Sequence, residues 1–239
     1  MIPLRDANPT RRTPIVTLTI IAVASVAFAY ELGIAETWGN DALEGFLRQW
    51  GALPVGISTA LTGGDLVGPA MVGMVTSIFL HGGWLHLIGN MLYLWIFGNN
   101  IEDRFGRIRF LVFYLAGGVA AALTHVAIDP TSDIPMVGAS GAIAAILGAY
   151  LVLYPRARIL SLVFLGVFYQ LIEVRAIIVL GFWFVLQLID GLTSLGVPET
   201  DGGIAFFAHI GGFVAGVLVG FVVRAAGPRG RSPVRSPVG

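Results

Sequence analysis

"MVGASGAIAAILGAY", residues 136–150, sets one serine, Ser140, into a run of glycine, alanine and aliphatic side chains with no charge among them. Such a run reads as an apolar helix over 140–154. Gly141, Ala144, Ala145 and Gly148 form a strip of small side chains along it. Small residues three and four apart let a second backbone press close, as helices packed inside a bilayer do. The stretch therefore belongs in a bundle of membrane helices. Its serine, at the mouth of the helix and flanked by Gly138, Ala139 and Gly141, has three readings: a cap, a packing residue or a nucleophile.

The composition agrees with a bilayer as the main solvent. The chain has 239 residues, of which 56% are hydrophobic and 12% charged, with a mean hydropathy of +0.84. Soluble domains are about a quarter charged. The expected fold is all-α, a polytopic membrane protein of six transmembrane helices. There is no cysteine, which removes disulfides, thiolate metal sites and a thiol nucleophile together. A net charge of zero gives no field for nucleic acid. The first apolar segment follows Arg5, Arg11 and Arg12 with no small-residue cleavage site behind it, so it is expected to be a retained helix.

A spanning helix needs roughly 20 apolar residues. Six segments qualify: 15–30, with Thr13 as cap and Pro14 in the first turn, then 84–101, 108–128, a short 140–154, 176–192 and 204–223. The apolar stretch 159–170 is too short to span and is separated from the fifth helix by Glu173 and Arg175, so it is expected to be interfacial. The organisation expected is a cytoplasmic segment 1–13, a membrane domain 14–224 and a disordered cytoplasmic tail 225–239. The long loop 31–80, with its amphipathic "DALEGFLRQW", is expected on the outer surface. No internal repeat supports an inverted-repeat transporter.

Arginine supplies all fourteen basic residues. With the N-terminus inside, thirteen of them fall in inner segments and only Arg48 in an outer loop. That bias predicts both termini in the cytoplasm and supports six spans.

The inner arginines also serve as rulers for polar residues within the spans. At 1.5 Å per residue, Ser140 lies roughly 24 Å above Arg156, and His209 roughly 22 Å above Arg224. Asn90 lies roughly 21 Å and His86 roughly 27 Å above Arg104. All four fall in the outer third of a core about 30 Å thick. His86 and Asn90, four apart, share one face of the second helix. His209 heads a small-residue series, Gly212, Gly216 and Gly220, that can dock on the strip beside Ser140. Docking would bring an imidazole to a hydroxyl, as an activated serine requires. The Ser140 backbone N–H, at a helix N-terminus, and the His86 and Asn90 side chains could then receive an oxyanion. No carboxylate lies at this level to orient His209, so the expectation is a dyad.

Other readings compete for the same residues. His81 and His86, five apart in "HGGWLH", are poorly spaced for joint metal ligation and lack a partner glutamate, so no metal and no cofactor is expected. Asn90 can be helix glue, and Gln187 and Asp190 can be polar glue or lie near the outer surface. His125 and Asp129 are expected as an interfacial pair.

The motifs "HGGWLHLIGN" (81–90), "NNIEDRFG", "GASGAI" (138–143) and "AHIGGFVAG" (208–216) together resemble the rhomboid family of intramembrane serine proteases, over about 76–224. The resemblance implies a six-helix core and cleavage of transmembrane protein substrates. It implies that Ser140 is the nucleophile, His209 the general base, and His86 and Asn90 the oxyanion donors. His81 resembles the histidine that precedes them, and Glu102 the acidic residue closing the second helix, with a structural role. Two positions depart from some members. Ala144 stands where a tyrosine stacks on the histidine, and "MVGMVTSIFLH" lacks a Trp-Arg pair. The exclusive use of arginine points to a GC-rich prokaryotic genome, so the expected setting is a prokaryotic plasma membrane. The alternatives are a non-catalytic member that binds membrane clients, and a small transporter or proton channel using His86, His125 and His209.

Overall fold

The structure is a computed structural model that describes residues 1–165, 168–194 and 206–227. A short strand β1 (Ile2–Asp6) leads into helix α1 (Ile15–Trp38). Three short helices follow, α2 (Asn40–Trp50), α3 (Pro54–Gly63) and α4 (Pro69–Thr76), the last extended by a 3-10 turn, Ser77–Phe79. Next come α5 (Trp84–Tyr93), a π turn (Leu94–Gly98) and α6 (Asn99–Phe105), which run on as one rod. Then α7 (Arg107–Ile128) and α8 (Ser140–Leu153) precede strands β2 (Arg158–Leu165) and β3 (Phe168–Arg175), followed by α9 (Ala176–Ser194) and α10 (Phe206–Ala225).

The helices form an all-α membrane bundle around α8. Helices α1, α7, α9 and α10 are each long and apolar enough to cross a membrane, and α5–α6 joins them as part of a broken pair with α4. Helix α8 is shorter and is almost wholly buried from Gly141 to Tyr150. Its 14 residues measure about 21 Å, roughly 9 Å less than the hydrocarbon core. A central helix that short cannot reach both faces of the core, and Ser140 is its first residue.

Glycine sets how closely the bundle packs. A Cβ on Gly212 would run into the Gly141 carbonyl, one on Gly216 into Ala145, and one on Gly148 into the Phe213 carbonyl. The strips on α8 and α10 dock as their spacing predicts. On the other flank of α8, Gly117 of α7 faces Ala145, and Gly141 faces Ala121.

Several expectations need correction. The stretch 159–170 is not a single apolar segment; it is most of the hairpin β2–β3, and β1 completes an antiparallel sheet in the order β1-β2-β3. Hydrophobicity marked it as interfacial but could not record its pairing with a strand some 150 residues away; Ile159 and Ser161 are buried, while Phe168 and Tyr169 are exposed. Between Pro3 and Arg5 the β1 register shifts, at a proline that has no N–H for the ladder. Helix α1 continues eight residues beyond the expected end at 30, burying Glu31 and Ile34. The loop 31–80 is mostly helical, and Ala52, Ile57 and Met74 pack against Ala122 and Val126 of α7 in a small second core.

Thr13 does not cap α1. Pro14 occupies the cap position without a side-chain bond, and Glu102 serves instead, its carboxylate accepting from Val16 N at 3.0 Å and Thr17 N at 2.8 Å. The second helix runs to Phe105 and the sixth to Ala225. The expected start of the sixth helix at 204, and residues 228–239 of the expected tail, lie outside the described residues. Asp129 is engaged with Thr131 N and Oγ1 in a turn.

Candidate active site

The segment before Ser140 is held to the α2–α3 connection and the 3-10 turn by backbone bonds. Ala52 and Met136 exchange two of them at 3.0 and 2.9 Å, and Gly138 N donates to Ser77 O at 2.9 Å. Gly138 then turns the chain with φ +126°, in the left-handed region that favours glycine. It also leaves room for a ring: a Cβ there would lie 2.6 Å from both Cε1 and Nε2 of His86, and 3.7 Å from Ser140 Oγ. Ala139 follows at the cap position of α8 with no side-chain bond.

Ser140 is therefore not a cap. Its Oγ lies 2.7 Å from His209 Nε2, across the α8–α10 seam. The other ring nitrogen, Nδ1, lies 2.6 Å from Gln187 Oε1 on α9. One turn before Gln187, the Trp183 ring lies 6.1 Å from the imidazole, tilted by 38°. Hydroxyl, imidazole and amide form one chain across three helices.

On the opposite side stands α5. His86 faces Gly138, and Asn90, nearly buried, donates Nδ2 to His86 O at 3.0 Å. This bond uses one of the two amide hydrogens. His81 is buried in the break between the 3-10 turn and α5, where the bent pair Pro69–Phe79 and Trp84–Phe105 turns by 80°. Its backbone N–H is held by both oxygens of the buried Glu31, each at 3.2 Å, and its ring meets that of His86 edge-on at 5.3 Å. The C-terminal part of α1 thus fixes the start of α5. Glu102 lies at the far end of the rod, capping α1 away from this cluster. Gly141, Gly212 and Gly216 line the seam that sets the serine-to-histidine distance.

The chain contains a match to the family described as Rhomboid domain, over residues 69–226. It belongs to the rhomboid family. Among its relatives are RHOMBOID-like protein 5 of Arabidopsis thaliana, 33% identical over 150 residues (63% of this chain, 43% of that protein), and Rhomboid protease GluP of Bacillus subtilis, 37% identical over 147 residues (62% and 26%). Rhomboid protein 1, mitochondrial, of Saccharomyces cerevisiae is 29% identical over 159 residues (65% and 42%). The chain spans less than half the length of these relatives.

Two residues missing from the sequence reading of the site are Gln187, taken only as polar glue or a surface group, and Trp183. A signal for Gln187 was available. It lies twelve residues from Arg175, roughly 18 Å along the same ruler used for the other polar groups. What the ruler lacked was the rotation of α9, which decides whether Gln187 faces lipid or His209.

Proposed function

We propose that this rhomboid-family protein is an intramembrane serine endopeptidase that cleaves transmembrane protein substrates. The observation that carries the reading is the 2.7 Å contact between Ser140 Oγ and His209 Nε2 at the start of a short, buried helix. His209 takes the Ser140 proton as the hydroxyl oxygen attacks the scissile carbonyl, and later gives it to the leaving amine. The tetrahedral oxyanion meets the Ser140 N–H at the α8 N-terminus, with His86 and Asn90 as side-chain donors from α5. Water then hydrolyses the acyl-enzyme, the His209 imidazole again acting as base.

A substrate peptide bond inside a helix is shielded by its own hydrogen bonds. Small or helix-breaking residues that unwind the segment near the Ser140 level are therefore the expected recognition feature, with lateral approach beside α9. The setting proposed is a prokaryotic plasma membrane with the arginine-rich loops in the cytoplasm.

The test is cleavage of a reporter transmembrane substrate in proteoliposomes, together with fluorophosphonate labelling. Wild-type protein should cut the reporter and take the label, and Ser140→Ala should do neither. Cleavage that survives Ser140→Ala sinks the reading, as does stable client binding with no hydrolysis.

A further inference from the structure

We propose that Gln187 is the positioning residue of the site: its amide oxygen accepts the Nδ1 proton of His209 and so leaves Nε2 free to take the proton of Ser140. This rests on the Ser140–His209 reading. An imidazole has two tautomers, and only the one protonated at Nδ1 can act as base toward Ser140. In most arrangements of this kind a carboxylate selects the tautomer. Here the group on Nδ1 is a neutral amide at 2.6 Å, opposite the 2.7 Å contact to Ser140.

The inner face of α9 explains how a glutamine comes to do this. Leu180, Trp183, Phe184, Gln187 and Gly191 recur at helical spacing. Phe184 stacks on Phe213 of α10 at 4.4 Å, and Gly191 admits Ile210, Phe206 and Phe207. These contacts, one turn on either side, hold Gln187 against α10. It is the one polar side chain in that series, and a polar group within a span needs a partner. Trp183 covers the same imidazole, while Ala144 on α8 offers only a methyl group. Helix α9 thus supplies both the acceptor and the ring that α8 does not.

The amide fits the site in either orientation, and the two have opposite consequences. With Oε1 inward, His209 is a base toward Ser140; with Nε2 inward, Nε2–H of His209 would donate to the serine and the pair would be inert. In the structure Oε1 faces His209 Nδ1.

Two measurements decide it. The first is the nitrogen-15 spectrum of histidine-labelled wild-type protein, which contains four histidines, with His209 assigned through His209→Ala. The Nδ1–H tautomer is expected; an Nε2–H tautomer overturns the proposal. The second is kinetics on the reporter substrate. Gln187→Leu, apolar and similar in length, should lower kcat roughly 10- to 100-fold with KM within about twofold. Gln187→Glu, which keeps an inward acceptor, should restore most of the rate. Wild-type kcat in Gln187→Leu, with Ser140→Ala inert, overturns Gln187 and leaves the protease reading standing. Should wild-type protein itself fail to cleave, the protease reading falls, and the tautomer spectrum still judges Gln187.

Discussion

At the scale of single residues, Gly138 has the least freedom. Its φ of +126° disfavours any side chain, and a Cβ would meet the His86 ring at 2.6 Å. Holding a non-glycine residue in such a conformation costs about 1–3 kcal/mol. Escaping the clash means moving either the ring or the turn that carries Ser140. Gly138→Ala is therefore expected to slow fluorophosphonate labelling of Ser140 by roughly 10-fold or more, since a shift of about 1 Å at a reacting group can cost still more. The bundle should persist, because Gly138 precedes the helix and is not part of the α8–α10 seam. Labelling rate and thermal midpoint measured on one sample separate the two effects; labelling at the wild-type rate would show that the glycine is dispensable.

At the scale of elements, the seam between α8 and α10 carries the close packing. Gly216→Ala would drive a methyl group into Ala145, and overpacking of this kind costs about 1–3 kcal/mol. Gly181 on α9 has open space where its Cβ would be, so Gly181→Ala should be neutral or stabilising by up to about 1 kcal/mol. Thermal unfolding in the same detergent should rank Gly216→Ala below wild type and Gly181→Ala at or above it. The reverse order would mean that the seam is not the tightest contact. This seam was legible in the sequence because spacing alone records it: Gly212, Gly216 and Gly220 repeat at four residues, whatever lies around them. Four of the six expected spans, and a fifth as part of a bent pair, were legible for a similar reason, since apolar length is a local property; 140–154 forms a helix too short to span. The sheet was not, because β1 and β2 pair across most of the chain. Nor was the capping of α1, since Glu102 reaches it from another helix, while the local candidate Thr13 is bypassed. Gln187 fell between these cases, its depth readable and its facing not.

At the scale of the whole molecule, polar groups gather at two levels with an apolar core between them. One level holds Ser140, His209, Gln187, His86, His81 and Glu31. The arginine-rich end holds a second network: Asp6 accepts from Tyr150 Oη and Asn100 Nδ2, Asn8 donates to Asn100 Oδ1 at 2.8 Å, and Glu102 accepts from Val16, Thr17 N and Thr17 Oγ1. Asn90 and Glu102 stand about 18 Å apart along the α5–α6 rod. Between them Phe97, Ile101, Ile146, Leu147 and Phe110 are fully buried. Among the described residues no side-chain hydrogen bond runs from one level to the other, so the second network should stabilise the bundle without shaping the first. Glu102→Ala removes the acceptor from two helix-start N–H groups, one buried and one half-buried, and from one buried hydroxyl, for a loss of about 2–3 kcal/mol. The expected result is a lower thermal midpoint and faster amide exchange at Val16 and Thr17. The fluorophosphonate labelling rate of the folded fraction should stay within about twofold of wild type, because no reacting group has lost a partner. A labelling rate that fell with stability at temperatures where the protein remains folded would mean that α5–α6 transmits strain along its length, and that the two levels act as one.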